Sequence, residues 1–401
     1  MGDHHLNGKG VFMRPGLSLP FRLAIAGLAF GAAGAAWSRD TVKIAFIGPL
    51  TGSNSAHGLG GRNAADLAVK LHNADPKSKY DYQLVALDDE CKPNVGVQVA
   101  TKVATDKSIA AVIPHYCSAV AIATVDVYRN FGIPVVIWAA VLPEIIYGQK
   151  TKEMHRVSAT SIRQNQVAAQ FLTGVQKYKT WAAVYDTTDY GKSMYKYFSE
   201  ALAKNGGQML GSFGVGADQQ DFNSELTKIK ELNPEVIYFG GLTPLAVRMV
   251  KQMDKLGIKA QFQGTSGIVG EAFINGAGPL SEGTVAMYDN PPVEKLPGGK
   301  FFVEQYAKAK YGEPFEAYGP YAYSATTLVM DTIEKAGPDR KKINEELGKV
   351  KDHDSIVGKI TFDDYGQNIN PTTTKYVVQD GKWIDWEDSE YASGKRKLKG
   401  R

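Results

Sequence analysis

The stretch Val42-Lys43-Ile44-Ala45-Phe46-Ile47-Gly48-Pro49-Leu50-Thr51-Gly52-Ser53-Asn54-Ser55 decides the fold. Its first six residues are mostly apolar and predict a buried strand, and the small residues after them predict a loop that leads to a helix over 58–74. A strand, a short loop and a helix form the first half of a βαβ unit. The stretch therefore predicts a parallel sheet, with a loop suited to close backbone approach at the carboxyl end of the strand.

The same alternation repeats along the chain in two sets. The first set adds predicted strands over 82–87, 109–114 and 133–137 and helices over 94–105 and 119–129. The second set has predicted helices over 162–178, 191–205, 221–232 and 243–256 and strands over 181–185, 209–215, 236–239 and 261–263. A last segment adds a strand over 284–288, helices over 298–310 and 318–336, and β-like pieces at 359–362 and 375–379. Two such sets predict an α/β protein with two doubly wound, Rossmann-like lobes.

The composition is that of a globular protein. Of 401 residues, 43% are hydrophobic and 22% are charged, which is enough apolar material for more than one core. The formal net charge is +4 and falls to about +2 without residues 1–38, which carry three cationic and one anionic side chain. This near-neutrality does not favour a nucleic-acid partner. The basic C-terminal segment, 391–401, is expected to be a solvated, disordered tail.

The N-terminus predicts export. Arg14 and Arg22 precede an apolar run over 23–36, after which polarity rises abruptly. A basic segment, a short apolar run and small residues are the parts of a signal peptide, and the run is too short to span a bilayer comfortably. We expect residues 1–38 to be removed. Two details stay open, namely cleavage after Ala35, Ala36 or Ser38 and a start at Met1 or Met13.

The chain has two cysteines, Cys91 and Cys117. In an exported protein, two cysteines at moderate spacing most simply form one disulfide, and two are too few for the usual four-ligand zinc site. Two buried free thiols are the alternative.

No motif for catalysis or for a cofactor is found. The run 186–193 ends like a phosphate-binding loop but has Asp186 where the first glycine is needed, and the glycine-rich run 58–63 lies too far beyond its strand for a dinucleotide site. The mature chain has no G-x-S-x-G or H-E-x-x-H motif and no spaced Cys/His cluster. We predict no cofactor, no metal and no enzymatic activity. An exported α/β enzyme is the alternative from another functional class.

The loop after the third strand predicts a carboxylate site. Ser118 can cap a helix that begins at Ala119, and its hydroxyl, together with free backbone N–H groups, can bind a carboxylate. Capping alone is the alternative role, and the two roles are compatible.

The order of the elements and several local strings resemble the type I periplasmic solute-binding proteins of ABC importers, specifically their leucine/isoleucine/valine-binding branch. The resemblance covers nearly all of residues 41–385. The strings that carry it are Ile47-Gly48-Pro49-Leu50-Thr51-Gly52, Asp88-Asp89-Glu90-Cys91-Lys92-Pro93, His115-Tyr116-Cys117-Ser118, Leu142-Pro143-Glu144, Asp189-Tyr190-Gly191 and Tyr238-Phe239-Gly240-Gly241.

This resemblance implies a Cys91–Cys117 disulfide and two lobes that close around a ligand. The implied crossings between lobes lie near 158–162, 287–292 and 355–362. The implied lobes are 39–159 with about 290–357, and 160–289 with about 358–390. It also implies a monomeric periplasmic receptor that delivers a small solute to the membrane permease subunits of an importer. A sensory receptor is the alternative within this structural class.

Two residues match positions that contact ligand in this family, Ser118 and Tyr190. His57, near the mouth of the implied cleft, is a candidate donor to an acid, with an exposed loop histidine as the alternative. Tyr318 is a candidate apolar wall, although core packing is at least as plausible for it.

Three departures from the family pattern bear on the ligand. Val141 follows Ala140 where relatives have an Ala-Thr pair, Ser266 stands where relatives place an acidic residue that receives an ammonium, and Leu242 replaces a common aromatic residue. A buried ammonium without an acceptor makes the free energy of binding less favourable by about 1–3 kcal/mol or more. The departures favour, as an alternative to leucine, isoleucine or valine, an aromatic or aliphatic acid without an amine.

Overall fold

The computed structural model describes residues 39–148 and 151–399. The predicted signal peptide, residues 1–38, lies outside this range. Within the described part of the chain, no helix combines the length and the apolar character needed to cross a membrane.

The first lobe is built on a five-stranded parallel sheet. Its strands are β1 (Asp40–Gly48), β2 (Tyr80–Asp88), β3 (Ile109–Ile113), β4 (Val135–Ile137) and β5 (Met154–Arg156). They lie in the order β2-β1-β3-β4-β5, and every residue of β3 and β4 is buried, as expected for a parallel sheet covered on both faces. The helices of this part of the chain are α1 (Ser55–Asn73), α2 (Pro93–Thr105), α3 (Ser118–Phe131) and α4 (Glu144–Tyr147).

The second lobe is built on a seven-stranded sheet. The remaining strands are β6 (Thr180–Asp186), β7 (Gln208–Val215), β8 (Val236–Gly240), β9 (Gln261–Gly264), β10 (Val285–Tyr288), β11 (His353–Ser355), β12 (Gly358–Ile360), β13 (Thr374–Gln379) and β14 (Lys382–Asp385). The sheet order is β14-β13-β10-β9-β8-β6-β7. β13 is antiparallel to both of its neighbours, β10 and β14, and the pairs among the other five strands are parallel. β11 and β12 form a separate hairpin.

The remaining helices flank the second sheet or, later in the chain, pack on the first lobe. They are α5 (Ser161–Gln170), which continues as a π-helical turn (Phe171–Val175), α6 (Asp189–Lys204), α7 (Asn223–Leu232), α8 (Thr243–Lys255), α9 (Glu271–Ala277), α10 (Gly299–Ala309), α11 (Gly319–Ala336) and α12 (Arg340–Leu347). Short 3₁₀ turns lie at Ser266–Ile268, Gly278–Ser281, Val293–Lys295 and Trp386–Asp388. Because α11 packs against α1, the chain re-enters the first lobe after β10. The two sheets with their helices confirm the predicted α/β fold of two doubly wound lobes.

Both sheets contain the strand arrangement that creates a ligand site. In the first sheet, the chain moves from β1 to β2 on one side and then to β3 on the other; in the second, it does the same from β6 to β7 and β8. Ligands of doubly wound sheets bind beyond the carboxyl ends of the strands at such a switch point. The fold therefore directs attention to the loops after β1, β3, β6 and β8.

The buried residue Asp289 bonds to segments from several separate parts of the chain. Asp289, just after β10, accepts hydrogen bonds from the Ala159 amide (3.2 Å) and the Gln164 side-chain amide (2.6 Å). The backbone carbonyl of Asp289 accepts from the Tyr321 and Thr372 hydroxyls. Burial raises the pKa of the Asp289 carboxyl to about 7. One fully buried residue thus links residues 159 and 164 to residues 321 and 372.

A second set of bonds shows where the last passage lies. The buried Arg156 guanidinium donates to the Gln367 side chain (2.7 Å), and the Asn368 side chain donates to the Val157 carbonyl (2.9 Å). Residues 367–368 therefore lie against the end of the first sheet. We propose that the third crossing follows Asn368, later in the chain than the predicted 355–362.

The C-terminal segment differs from the predicted solvated tail. Arg396 pairs with Glu282 (2.9 Å) and Asp380 (2.9 Å) of the second lobe. Leu398 is buried, and the Tyr178 hydroxyl donates to the Lys399 carbonyl (2.8 Å). Residues 391–399 pack on the second lobe because this basic segment also carries an apolar anchor, which its charge pattern conceals.

We expect Asp289→Ala to lower the free energy of unfolding by about 2–5 kcal/mol, because it leaves two buried amide donors without an acceptor. Chemical denaturation followed by circular dichroism measures the change. The control is Asp364→Ala, an exposed carboxylate, which should stay within about 0.5 kcal/mol of wild type. Equal stability of the two variants would contradict the assigned role of Asp289.

Candidate functional site

A cavity of about 210 Å³ lies where the two lobes meet. The first lobe contributes Ser53, Asn54, Glu90, Cys91, Tyr116, Cys117, Ser118, Ala119, Ala139, Val141 and Tyr318 to its lining. The second lobe contributes Asp186, Thr188, Tyr190, Ala217, Asp218, Leu242, Pro244, Leu245 and Gly267. The cavity is smaller than the about 300–1,000 Å³ typical of drug-sized ligands, so it suits a solute of roughly amino-acid size.

The first-lobe side of the cavity is the N-terminus of α3. The helix begins at Ser118, not at Ala119, and the Ser118 hydroxyl accepts from the Val141 amide (3.1 Å) instead of capping the helix. The amides of Val120 and Ala121 both bond to the Cys117 carbonyl. Because the first amides of a helix have no acceptor within it, the Ser118 and Ala119 N–H groups remain for a ligand. The Ser118 hydroxyl keeps its own proton to donate as well.

The disulfide between Cys91 and Cys117 is present, as predicted, with 5.5 Å between the Cα atoms. It ties the loop after β2 to the residue that precedes α3, and both cysteines line the cavity. A covalent link at this point restricts movement of the helix N-terminus to which a carboxylate would bind.

Tyr190 lies opposite, in the first turn of α6. Its hydroxyl is 2.9 Å from the Thr265 hydroxyl and accepts from the Gly267 amide (3.0 Å). Burial raises the pKa of the phenol to about 12, so it stays protonated. A Cβ atom at Gly267 would lie 2.6 Å from the Tyr190 oxygen, and only glycine fits here. The phenol is therefore held in one position at the cavity wall.

The charged side chains of the cavity lining are all acidic. Asp186 is buried, accepts from the Thr188 amide (3.0 Å) and hydroxyl, and has its carboxyl pKa raised by burial. Glu90 and Asp218 line the same space, and no lysine or arginine is among the lining residues. Positive potential comes instead from the N-termini of α3, α6 and α8. The site therefore offers helix amides to an anion and carboxylates to a cation.

Most of the predicted ligand residues meet at this cavity. Those that line it are Ser118, Ala119, Val141, Tyr190, Leu242 and Tyr318. Ala140 is buried in the first-lobe core behind the wall. Ser266 is also outside the lining, and its buried hydroxyl lies beside the Tyr190 and Tyr318 hydroxyls. Their contacts with a ligand stay predictions.

The sequence did not single out Asp186 or Asp218 as ligand residues. Asp186 was noted only as the residue that spoils a phosphate-binding loop. A signal was available, because Asp186 directly follows the predicted strand 181–185 of a doubly wound sheet, where ligand groups gather. Asp218 follows β7 in a loop with no comparable marker.

His57 lies behind the cavity and not in its lining. The imidazole is 2% exposed, stacks on Tyr116 with the ring centroids 4.8 Å apart, and has Nε2 3.3 Å from the Thr243 hydroxyl of the second lobe. Burial lowers the pKa of His57 from its ordinary value of 6.5 to about 4. A neutral histidine of the first lobe thus contacts the second lobe directly, in contrast to the exposed loop position that was the alternative.

The chain matches the protein family described as "Periplasmic binding protein" over residues 41–382. It is 30% identical over 366 residues to the leucine-, isoleucine-, valine-, threonine- and alanine-binding protein of Pseudomonas aeruginosa. This alignment covers 91% of this chain and 97% of the Pseudomonas protein. Among solved structures, it is similar to the leucine-binding protein LivK of Thermotoga maritima, with 27% identity and a TM-score of 0.79. The match covers 86% of this chain and 97% of LivK. A solute-binding protein of R. palustris in complex with benzoate shares the fold, with 18% identity, a TM-score of 0.78 and coverage of 86% and 95%.

We expect the protein to lose stability in acid partly through His57. Because the pKa is lower in the folded than in the unfolded chain, the unfolded chain takes up a proton as the pH falls below about 6.5, and by pH 5 this costs about 2 kcal/mol. Denaturation at pH 7 and pH 5 should therefore show a smaller acid loss for His57→Gln than for wild type. His155→Gln is the matched control, because burial lowers the pKa of His155 likewise while its ring packs on Phe362, away from the cavity.

Both substitutions should reduce the loss of unfolding free energy between pH 7 and pH 5. Only His57→Gln should alter the pH dependence of solute binding, since only His57 contacts the other lobe near the cavity. An unchanged acid loss in His57→Gln would contradict the assignment.

Proposed function

Because this chain belongs to the periplasmic binding protein family, we propose that it is the solute-binding component of an ABC importer of the branched-chain amino-acid type. It is exported to the periplasm, captures a small carboxylate-bearing solute between its lobes and presents the closed form to the permease subunits. The observation that carries this proposal is the cavity of about 210 Å³, to which both lobes contribute. A ligand that touches both lobes favours the closed arrangement by its differential affinity.

The ligand carboxylate binds at the N-terminus of α3. The Ser118 and Ala119 amides and the Ser118 hydroxyl supply the donors, and the helix dipole favours the negative charge. From the second lobe, Tyr190 closes over the same end of the solute. Leu242, Leu245 and Val141 give an apolar wall for an aliphatic side chain.

Between the two ligand classes, the lining favours an α-amino acid. A zwitterion brings an ammonium to the carboxylates Asp186, Glu90 and Asp218, whereas an acid without an amine leaves those charges uncompensated. The amine-free acid stays the second candidate because Ser266 supplies no charge where relatives place an acidic residue. The fold itself holds benzoate in the R. palustris protein, so it imposes no requirement for an amine.

The proposed protein acts by binding, without turnover, and as a monomer. A sensory receptor would use the same closure but pass the closed state to a signalling protein. The relatives that bind branched-chain amino acids support transport, and the dependence of uptake on this chain in cells separates transport from sensing.

We expect leucine, isoleucine or valine to raise the melting temperature of the protein, because a ligand at a hundredfold excess over its Kd adds about 2.7 kcal/mol to the folded state. The panel is these amino acids against benzoate and short aliphatic acids. Ser118→Ala should weaken binding of the active compound at least tenfold, since a hydrogen bond to a charged group contributes about 1.5–3 kcal/mol.

The matched control is Ser224→Ala, an exposed serine on α7, which should bind like wild type. If only the amine-free acids raise the melting temperature, the ligand is an acid without an amine and not an amino acid. Unchanged affinity in Ser118→Ala would contradict the carboxylate site at α3 for either ligand.

A further inference from the structure

A second and larger cavity, of about 550 Å³, lies on another side of the lobe junction. Its lining comes from β10, β13, β14 and α9 of the second lobe, from the segment after Asp289, and from the residues around the start of α11. None of its lining residues lines the first cavity. It is a separate space with its own chemistry.

Four large aromatic residues line it, Tyr288, Phe315, Tyr376 and Trp383, and three of them carry a polar atom. The Tyr288 hydroxyl donates to the Ala317 carbonyl (2.7 Å), the Tyr376 hydroxyl to the Asn290 carbonyl (3.1 Å), and the Trp383 indole N–H to the Gly270 carbonyl (3.0 Å). Their polar atoms are thus already engaged. What Tyr288, Tyr376 and Trp383 can offer an occupant is ring surface.

Two buried polar groups in the lining have no partner among the described residues. They are the Glu316 Oε2 atom and the Asn290 side-chain nitrogen, on residues that are 5% and 4% exposed. Glu316 also has a φ of 51°, in the left-handed region that a glutamate seldom adopts. Buried polar groups without partners are costly, and strained residues cluster at ligand sites. The Glu271 and Ala272 backbone amides donate to the Glu316 carboxylate, and its Oε2 atom is buried beside Gly270.

The charge of the lining identifies the class of occupant. Glu271, Glu294 and Glu316 face the cavity, against a single cation, Lys382. Aromatic faces beside an unpaired carboxylate are the recognition chemistry for an organic cation. We propose that this second cavity is a binding site for a protonated organic amine with an apolar or aromatic body, with Glu316 as its counter-charge. The proposal does not depend on the nature of the solute in the first cavity.

The ionisation of Glu316 gives the site a pH dependence. Burial, and then the nearby charge of Glu271, raise the pKa of Glu316 to about 7. The other titratable groups near it are Tyr116, Tyr306 and, across Gly270, the His57 ring, while Glu294 and Lys382 lie elsewhere in the cavity lining. An ammonium binds the ionised carboxylate, so its affinity should rise about tenfold from pH 6 to pH 8, while a primary alkylamine stays protonated throughout.

The test is calorimetric titration of the full chain with 2-phenylethylammonium at pH 8 and pH 6. We expect saturable binding, about tenfold weaker at pH 6, and no comparable binding of the neutral 2-phenylethanol. Glu316→Gln should weaken binding at least tenfold and remove the pH dependence. The matched control is Glu304→Gln, an exposed glutamate on α10, which should bind like wild type.

Two further variants keep the result decisive. Ile274→Trp, which fills the second cavity from α9, should also abolish amine binding and serves in place of Glu316→Gln if that variant fails to fold. Asp186→Asn, in the first cavity, should leave amine binding intact. If Asp186→Asn abolishes binding while Glu316→Gln preserves it, the amine occupies the first cavity and the proposal is overturned.

Absence of any amine binding also overturns the proposal. Leucine binding by Glu316→Gln, measured in parallel, reports on the first cavity alone. It therefore distinguishes a missing amine site in the second cavity from a failure of the proposed solute-binding function.

Discussion

The buried carboxylate of Asp289 is the interaction on which the two-lobed arrangement depends. It accepts from Ala159 and Gln164 at the first passage, and its backbone carbonyl accepts from Tyr321 and from Thr372 near the third. Each lobe could form its sheet alone, but a ligand site between lobes requires the carboxyl ends of both sheets to face each other. In the hinge motion that we propose, hydrogen bonds shared among the passages make a bend in one passage follow the others. The same residue therefore links the fold to closure.

Given that hinge, the chemistry of the first cavity follows from the ends of secondary structure elements. The N-termini of α3, α6 and α8 supply amides and positive potential, and the strand-end residue Asp186 supplies negative charge. Few side chains have to be specialised, so one fold can exchange ligands through substitutions such as Val141 or Ser266. His57 adds a contact of another kind, since its buried, neutral ring lies 3.3 Å from the Thr243 hydroxyl of the other lobe.

The sequence predicted the fold well because alternation of buried strands and amphipathic helices is a local signal. It predicted the disulfide from the two cysteines of an exported chain and Ser118 from its place after the third strand, whereas Tyr190 came from the family resemblance alone. It missed the three-residue strand β5 and the four-residue helix α4, which are too short for any periodicity. The third passage and the packed C-terminal segment depend on Arg156–Gln367 and Arg396–Glu282 contacts between residues more than a hundred positions apart, which no local pattern contains. The burial of His57 is likewise a tertiary property, created by Tyr116 and Thr243.

The central claim is that a solute held by α3 of one lobe and Tyr190 of the other draws the lobes together. Small-angle X-ray scattering of the protein, with and without the amino acid that raises its melting temperature most, measures this directly. We predict a smaller radius of gyration with the solute, and for Ser118→Ala the same decrease only at an about tenfold or higher solute concentration. An unchanged radius in the wild-type protein at saturation would contradict closure as the basis of its function.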